Sequence, residues 1–353
     1  MISPLSSAVL PVRQPREERV LLAVKHSEME MFLPSIDWEK LTPHTRLHEN
    51  LETMDATEWE ALLRNFQPTV LISCWNTPPL PSNWLAEPDC PLHYICHLAG
   101  TVRSLVPRIF LERGGLITNW GGLAGETVAE HALLLALSAL RRQPCWPDII
   151  SGPAPQPYVS PMLRLHTRTL RRRRVGLHGF GHVARALMSL LKPFDVEIAV
   201  FSDGVPASLI KTAGAVPCAS LRELAGRSEV FFECESLTPR STGSVNTEVI
   251  AALPRDALFV NVARGALVDE DALLVAAREN RVRIALDVVS TDPIRPDSPF
   301  LDVPDAVLSP HIAGPTGDLF PECGRQAINN LSRYLNGQPT ETRVTLDLYD
   351  RAT

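Results

Sequence analysis

Three stretches of the chain carry residues whose types and spacing could do chemistry. Gly179-Phe-Gly181-His182-Val183-Ala184 follows an apolar run at 174–178 and opens a segment of helical spacing. That is the setting of a dinucleotide fingerprint. The first glycine permits a tight turn, and the second lets a pyrophosphate approach the backbone amides of residues such as His182 and Val183 at a helix N-terminus. Ala184 takes the place of the third glycine. Asp203 ends the next strand-like run, about 20 residues on, where an acid accepts a hydrogen bond from a ribose 2′-hydroxyl. Two further motifs, Asn261-Val262-Ala263-Arg264 and Leu308-Ser-Pro-His311-Ile-Ala-Gly314, place a functional side chain just past a predicted strand. Open α/β sheets bind ligands at that end. Arginine offers a planar fork to a carboxylate, and histidine gains and loses a proton near neutral pH. The plainer alternatives are a surface ion pair for Arg264 and a hydrogen-bonded core histidine for His311.

The elements that must position these groups alternate. Strands are predicted over 20–24, 69–73 and 94–98, with helical spacing over 57–65 between the first two. Thr127 and Glu130 read as a capping box for an apolar helix running to Arg142. After a Pro-rich stretch at 144–161, strands recur at 174–178, 196–201, 230–234, 258–262, 284–288 and 306–308. Helices fall between most of them, over 182–191, 221–226 (opened by Ser220 and Glu223), 248–253 and 271–279. This pattern predicts an α/β protein of two doubly wound parallel-sheet domains. Residues 1–142, completed by 317–353 with a helix at 319–335, form the first, and 143–316 form a Rossmann domain.

Composition agrees and narrows the class. A length of 353 residues suggests two domains at ~150 residues each. With 45% hydrophobic and 21% charged residues, wholesale disorder and coiled coil are excluded. A net charge of −6 gives no electrostatic footprint for nucleic acid. The longest apolar run, Ala132–Leu140, falls short of the ~20 residues of a membrane span. The N-terminal stretch lacks the charged and apolar regions of a secretory signal. Seven cysteines without a C-x-x-C pair indicate neither a disulfide framework nor a metal site, so reduced thiols in the cytoplasm are expected.

Together with Val128-Ala-Glu-His131, these motifs resemble the D-isomer specific 2-hydroxyacid dehydrogenase family, of the phosphoglycerate dehydrogenase-like kind, over about residues 20–340. The resemblance implies an NAD-dependent oxidoreductase, a homodimer, acting on a small anionic 2-oxo or 2-hydroxy acid in a cleft between domains. It implies that Arg264 holds the substrate carboxylate and carbonyl oxygen, and that His311 gives that oxygen a proton. Asp292, in Leu286-Asp-Val-Val-Ser-Thr-Asp292-Pro293, takes the place of the family's glutamate as partner of the histidine. NAD would lie along Gly179, Gly181, His182, Val183, Asp203, Cys234, Glu235, Ser236, Val262, Ala263, Arg264, His311 and Gly314, with Asp287 at the carboxamide. The acid after the second strand is displaced by one residue, from Ser202 to Asp203, and Leu191-Lys-Pro-Phe-Asp-Val-Glu197 resembles the formate dehydrogenase branch, which is displaced likewise. The substrate loop Ala99-Gly100-Thr101-Val-Arg103 departs from the family's usual G-A-G-V-D. Its amides are expected at a carboxylate, with Arg103 reading a second anionic group and Trp120 a candidate lining residue. Two other functions fit the same residues: an NAD(H)-sensing corepressor-like protein, and a dehydrogenase of another small anion such as formate or phosphite.

Overall fold

In a computed structural model, residues 18–35, 45–47, 51, 53–152 and 165–351 are described. The chain divides into two compact units, 1–121 with 317–349 and 122–316 with 350–353.

The first unit holds β1 (Val20–Ala23), α1 (His26–Phe32), β2 (Thr45–Leu47), α2 (Ala56–Phe66), β3 (Val70–Ser73), α3 (Ser82–Ala86), β4 (Tyr94–His97), α4 (Ile109–Glu112) and β5 (Leu116–Thr118). Its strands pair in parallel in the order β2-β1-β3-β4-β5. β1, β3 and β4 are buried along their whole length, as parallel strands covered on both faces must be. β2 and β5 are absent from the sequence reading. Each has three residues, too few for a periodic signal. At α2 the start is local chemistry, with the Asp55 carboxylate accepting the Thr57 and Glu58 amides while Glu58 accepts the Asp55 amide.

The second unit opens with α5 (Leu123–Arg141) and α6 (Trp146–Ser151), then β6 (Arg174–His178), α7 (His182–Leu191), β7 (Glu197–Phe201), α8 (Ala207–Thr212), β8 (Val216–Pro217) and α9 (Leu221–Arg227). It continues through β9 (Val230–Glu233), α10 (Thr247–Ala252), β10 (Ala257–Asn261), α11 (Glu270–Arg278), β11 (Val282–Leu286) and β12 (Val307–Leu308). Seven parallel strands run in the order β12-β11-β10-β9-β6-β7-β8. Both faces are covered: Val230 and Phe232 join one apolar cluster with α5 and α7, and Phe231 between them joins another with α9, α10 and α11. Two helices follow in the last part of the chain, α12 (Phe320–Leu335) and α13 (Leu346–Arg351). α12 belongs to the first unit, as expected of the tail.

The place of α5 in the fold and its start differ from the sequence reading. α5 belongs to the second unit, ahead of the boundary expected at 142/143. Ala129, Ala132, Ala136 and Ala139 are small enough to seat it against α7 and the sheet. The helix also begins a turn before the Thr127 box, at Leu123, and the Thr127 hydroxyl donates back to Ala124 O at 3.0 Å. A helix already running claims a threonine hydroxyl this way, so the box never forms. By length and composition α5 could cross a membrane, but its buried face is core of the second unit.

Candidate active site

The order of the second sheet reverses between β9 and β6, which places a binding crevice beyond their carboxyl ends. The turn after β6 fits a dinucleotide. Gly179 has φ +102°, and a side chain there would strike Cys234 O at 2.7 Å. Gly181 is the extended N-cap of α7, with nothing within 4 Å of where a Cβ would stand. The His182 ring packs where a side chain on Gly122 would be, within 2.8 Å, and its Cβ lies 3.0 Å from where one on Gly125 would stand. That leaves backbone, not imidazole, to serve a phosphate at the helix N-terminus.

Beneath the turn lies a pair that the sequence reading missed. His178 and Glu233 are buried at the ends of β6 and β9, with Nδ1 and Oε2 2.6 Å apart. Burial alone pushes the imidazole's pKa down. The Glu233 charge and hydrogen bond, with a contribution from Glu235, outweigh that and raise it. Glu233 Oε1 also accepts the Glu235 amide, and the Glu235 carboxylate accepts Ser202 Oγ at 2.8 Å and the Ser236 amide. Cys234 is held well above its ordinary thiol pKa by burial and by Glu233 and Glu235, so it stays a neutral thiol.

Asp203 is exposed at the tip of β7 and is joined by Arg240 from the loop after β9, at 3.0 Å. In the sequence this acid is followed by Gly204-Val-Pro-Ala, with no arginine. The arginine comes from elsewhere in the chain.

At the ends of β10, β11 and β12 the three proposed catalytic residues lie in one unit. The Asn261 side chain clamps the turn, donating to Arg264 O and accepting the Ala263 amide, each at 3.0 Å. The Val262 amide reaches Glu233 O. The Arg264 guanidinium donates to Ala263 O at 2.7 Å. Its pKa is lowered by burial and drawn back up by the Asp292 charge, and arginine stays protonated throughout. His311 Nδ1 is hydrogen-bonded to Asp292 Oδ2, which leaves Nε2 as the nitrogen to meet a substrate oxygen.

His311 has φ +56°, a conformation that a side chain adopts only when its surroundings impose it. Asp287 imposes it. Its backbone oxygen accepts the His311 amide at 2.9 Å, Oδ1 accepts Ser309 Oγ and the Ile312 amide, and Oδ2 accepts the Ala313 amide. His131, from α5, bonds Ser309 Oγ at 2.9 Å and lies 3.4 Å from Asp287 Oδ1. Burial would raise the Asp287 pKa, but these donors, with His131 and Ser309 foremost, lower it. Asp287, expected at the carboxamide, also anchors the 309–313 loop. Gly314 follows that loop with open space around it.

In the first unit, Ala99 is buried and its oxygen accepts the Trp120 amide. Gly100 O accepts Asn119 Nδ2 at 2.6 Å, and Thr101 beside it is half-buried. The Arg103 guanidinium lies 5.9 Å from the Tyr349 ring centroid, a cation–π arrangement.

Comparison with known proteins decides the family. Residues 125–313 match the description "D-isomer specific 2-hydroxyacid dehydrogenase, NAD binding domain". The chain belongs to that family. Accordingly its second unit is an NAD-binding domain, and NAD is its cofactor. The 2-ketogluconate reductase of Gluconobacter oxydans is 36% identical over 50% of this chain and 56% of its own length. The human glyoxylate reductase/hydroxypyruvate reductase is 30% identical over 63% and 67%. The matches thus span between about half and two thirds of these relatives. The apo D-mandelate dehydrogenase of Rhodotorula graminis superposes with a TM-score of 0.78 at 21% identity, covering 93% of this chain and 98% of that one, a likeness of fold.

Proposed function

We propose that this dehydrogenase interconverts a 2-oxo acid and a (2R)-hydroxy acid with NAD(H). The observation that carries the reading is the His311–Asp292 pair beside Arg264, on the same sheet edge as the fingerprint turn. NADH, when bound, supplies the hydride to the keto carbon. Arg264 holds the substrate carboxylate and balances charge on the carbonyl oxygen. His311 delivers a proton to that oxygen from Nε2, and Asp292 fixes the ring through Nδ1 and balances the imidazolium charge. Asp287 and His131 keep the loop in the conformation this requires. The relatives named for 2-ketogluconate and glyoxylate support the same reaction type. A homodimer in the cytoplasm belongs to the same proposal.

The test is NADH consumption over a panel of 2-oxo acids. Turnover with at least one of them is expected. Tight NADH binding with no turnover on any would favour the sensing protein instead.

NADH is expected to be preferred to NADPH, because Asp203 would accept from a ribose 2′-hydroxyl and repel a 2′-phosphate. The Arg240 partner sharpens the expectation. Asp203→Ser should raise the NADPH/NADH ratio of kcat/KM by about tenfold or more, since each tenfold is only about 1.4 kcal/mol and Arg240 stays to meet the phosphate. Adding Arg240→Ala should cancel much of that gain. Equal ratios in all three proteins would remove Asp203 from the cofactor site.

A further inference from the structure

From the first unit we infer that the substituent on the substrate's C2 is aromatic or bulky and apolar, and that Trp75 is the residue that reads it. The inference rests on the 2-oxo acid reading above and deepens it.

The first sheet reverses its order between β1 and β3. The crevice beyond the carboxyl ends of those strands is where such sheets take a ligand. Trp75 stands there, two residues after β3, and is 50% exposed. An exposed tryptophan on a slack loop would say little. This loop is braced from both sides.

The Cys74 amide donates to Thr77 Oγ1 at 2.8 Å, and Thr77 Oγ1 donates to Ala23 O at the end of β1 at 2.6 Å. The buried Glu28 carboxylate, on α1, accepts both the backbone amide and the side-chain amide of Asn76, at 3.1 and 2.9 Å. Residues on either side of Trp75 are therefore tied to β1 and α1, while its own ring is left half in solvent. The fold meets the ordering cost of that ring in advance, and preorganised aromatic surface gains most from binding.

The ring is also one face of an aromatic group. Phe32, Trp120 and Phe320 meet Trp75 edge-on, with centroids 5.3, 6.2 and 5.9 Å away. Trp120, two residues after β5, lies against the substrate loop: a Cβ on Gly100 would come within 2.4 Å of its Nε1. Only glycine lets the indole and the loop that is to hold the carboxylate lie so close. The wall of rings and the carboxylate loop are thus adjacent, as C1 and the substituent on C2 are in the substrate. Arg103, whose charge would favour a second anion, is instead drawn over the Tyr349 ring. An apolar ring laid edge-on or offset against Trp75 gains both the burial and the quadrupole term.

The test compares kcat/KM with NADH for phenylpyruvate, glyoxylate and 2-oxoglutarate, in wild type, Trp75→Ala and Trp75→Phe. We expect phenylpyruvate to be preferred. Its ratio to glyoxylate should fall roughly tenfold or more in Trp75→Ala and largely survive in Trp75→Phe, because the ring is what matters. Preference for 2-oxoglutarate, or an unchanged ratio in Trp75→Ala, would overturn the inference. Binding of phenylacetate against acetate to the NAD-loaded protein gives a second reading that needs no turnover. A phenylacetate preference lost in Trp75→Ala supports the aromatic wall even if no 2-oxo acid is reduced, and equal binding overturns it.

Discussion

Replacing His311 by Asn should lower kcat for reduction by about 10²–10⁴-fold, the usual contribution of a positioned general acid, while NADH still binds. Asn is the informative substitution because it tolerates the left-handed backbone that position 311 requires (φ +56°). The Asp287 bonds to the 311–313 amides can then persist, so the loss reports on the imidazole and not on a collapsed loop. Asp292→Asn keeps size and one acceptor but removes the charge facing Nδ1. Its kcat should fall by a smaller factor, with NADH affinity and KM for the 2-oxo acid little changed. Asp287→Asn is the contrasting case. It leaves the His311–Asp292 pair in place but weakens the anchor, so the remaining activity should depend more steeply on temperature. Pre-steady-state NADH consumption, where chemistry and not release is observed, separates the three. Full turnover in His311→Asn would show that the proton comes from elsewhere.

What the sequence made legible was local. The Gly179–Ala184 fingerprint, the Ser220 cap on the Glu223 amide and the runs 174–178 and 182–191 all carry their signal within one or two turns of chain, and the structure keeps them. Arg264 and His311 could be named because each follows a strand whose end the apolar pattern marks, and Asp292 only because the family resemblance places an acid before Pro293. The misses are all long-range. Asp203 meets Arg240 only because β7 and β9 flank β6. At Asp287 the sequence shows nothing of the three donors from residues 309–313 that arrive at its carboxylate. Trp75 looks like any loop tryptophan until Glu28 and Ala23 are seen to brace its neighbours. Likewise the Thr127 box follows a valid rule and fails, because Leu123 and Ala124 already had a helix to join.

His178 and Glu233 bear on stability more than on chemistry. Both are almost fully buried, at 4% and 0% side-chain exposure, directly under the fingerprint turn. Removing one member of such a pair leaves the other buried without its partner, at a cost of about 3–5 kcal/mol, whereas replacing both by apolar residues of similar volume is often neutral. Glu233→Leu should therefore destabilise the second unit by roughly that amount, and His178→Leu/Glu233→Leu should recover most of it. The part not recovered is the Glu235 amide's bond to Glu233 Oε1. The pair also sets a pH dependence. Because the folded-state pKa of His178 is raised, its contribution is fully present below the unfolded value of about 6.5. It declines as pH rises further and is lost once the folded value is passed. The stability difference between wild type and the double variant should shrink on that alkaline side, with the sign opposite to that of a depressed carboxylate. Amide exchange of β6 and β9 across pH measures it within the second unit alone. A double variant whose loss of stability equals the sum of the losses in Glu233→Leu and His178→Leu would mean that the two side chains contribute separately and that no pair holds the floor of the cofactor turn.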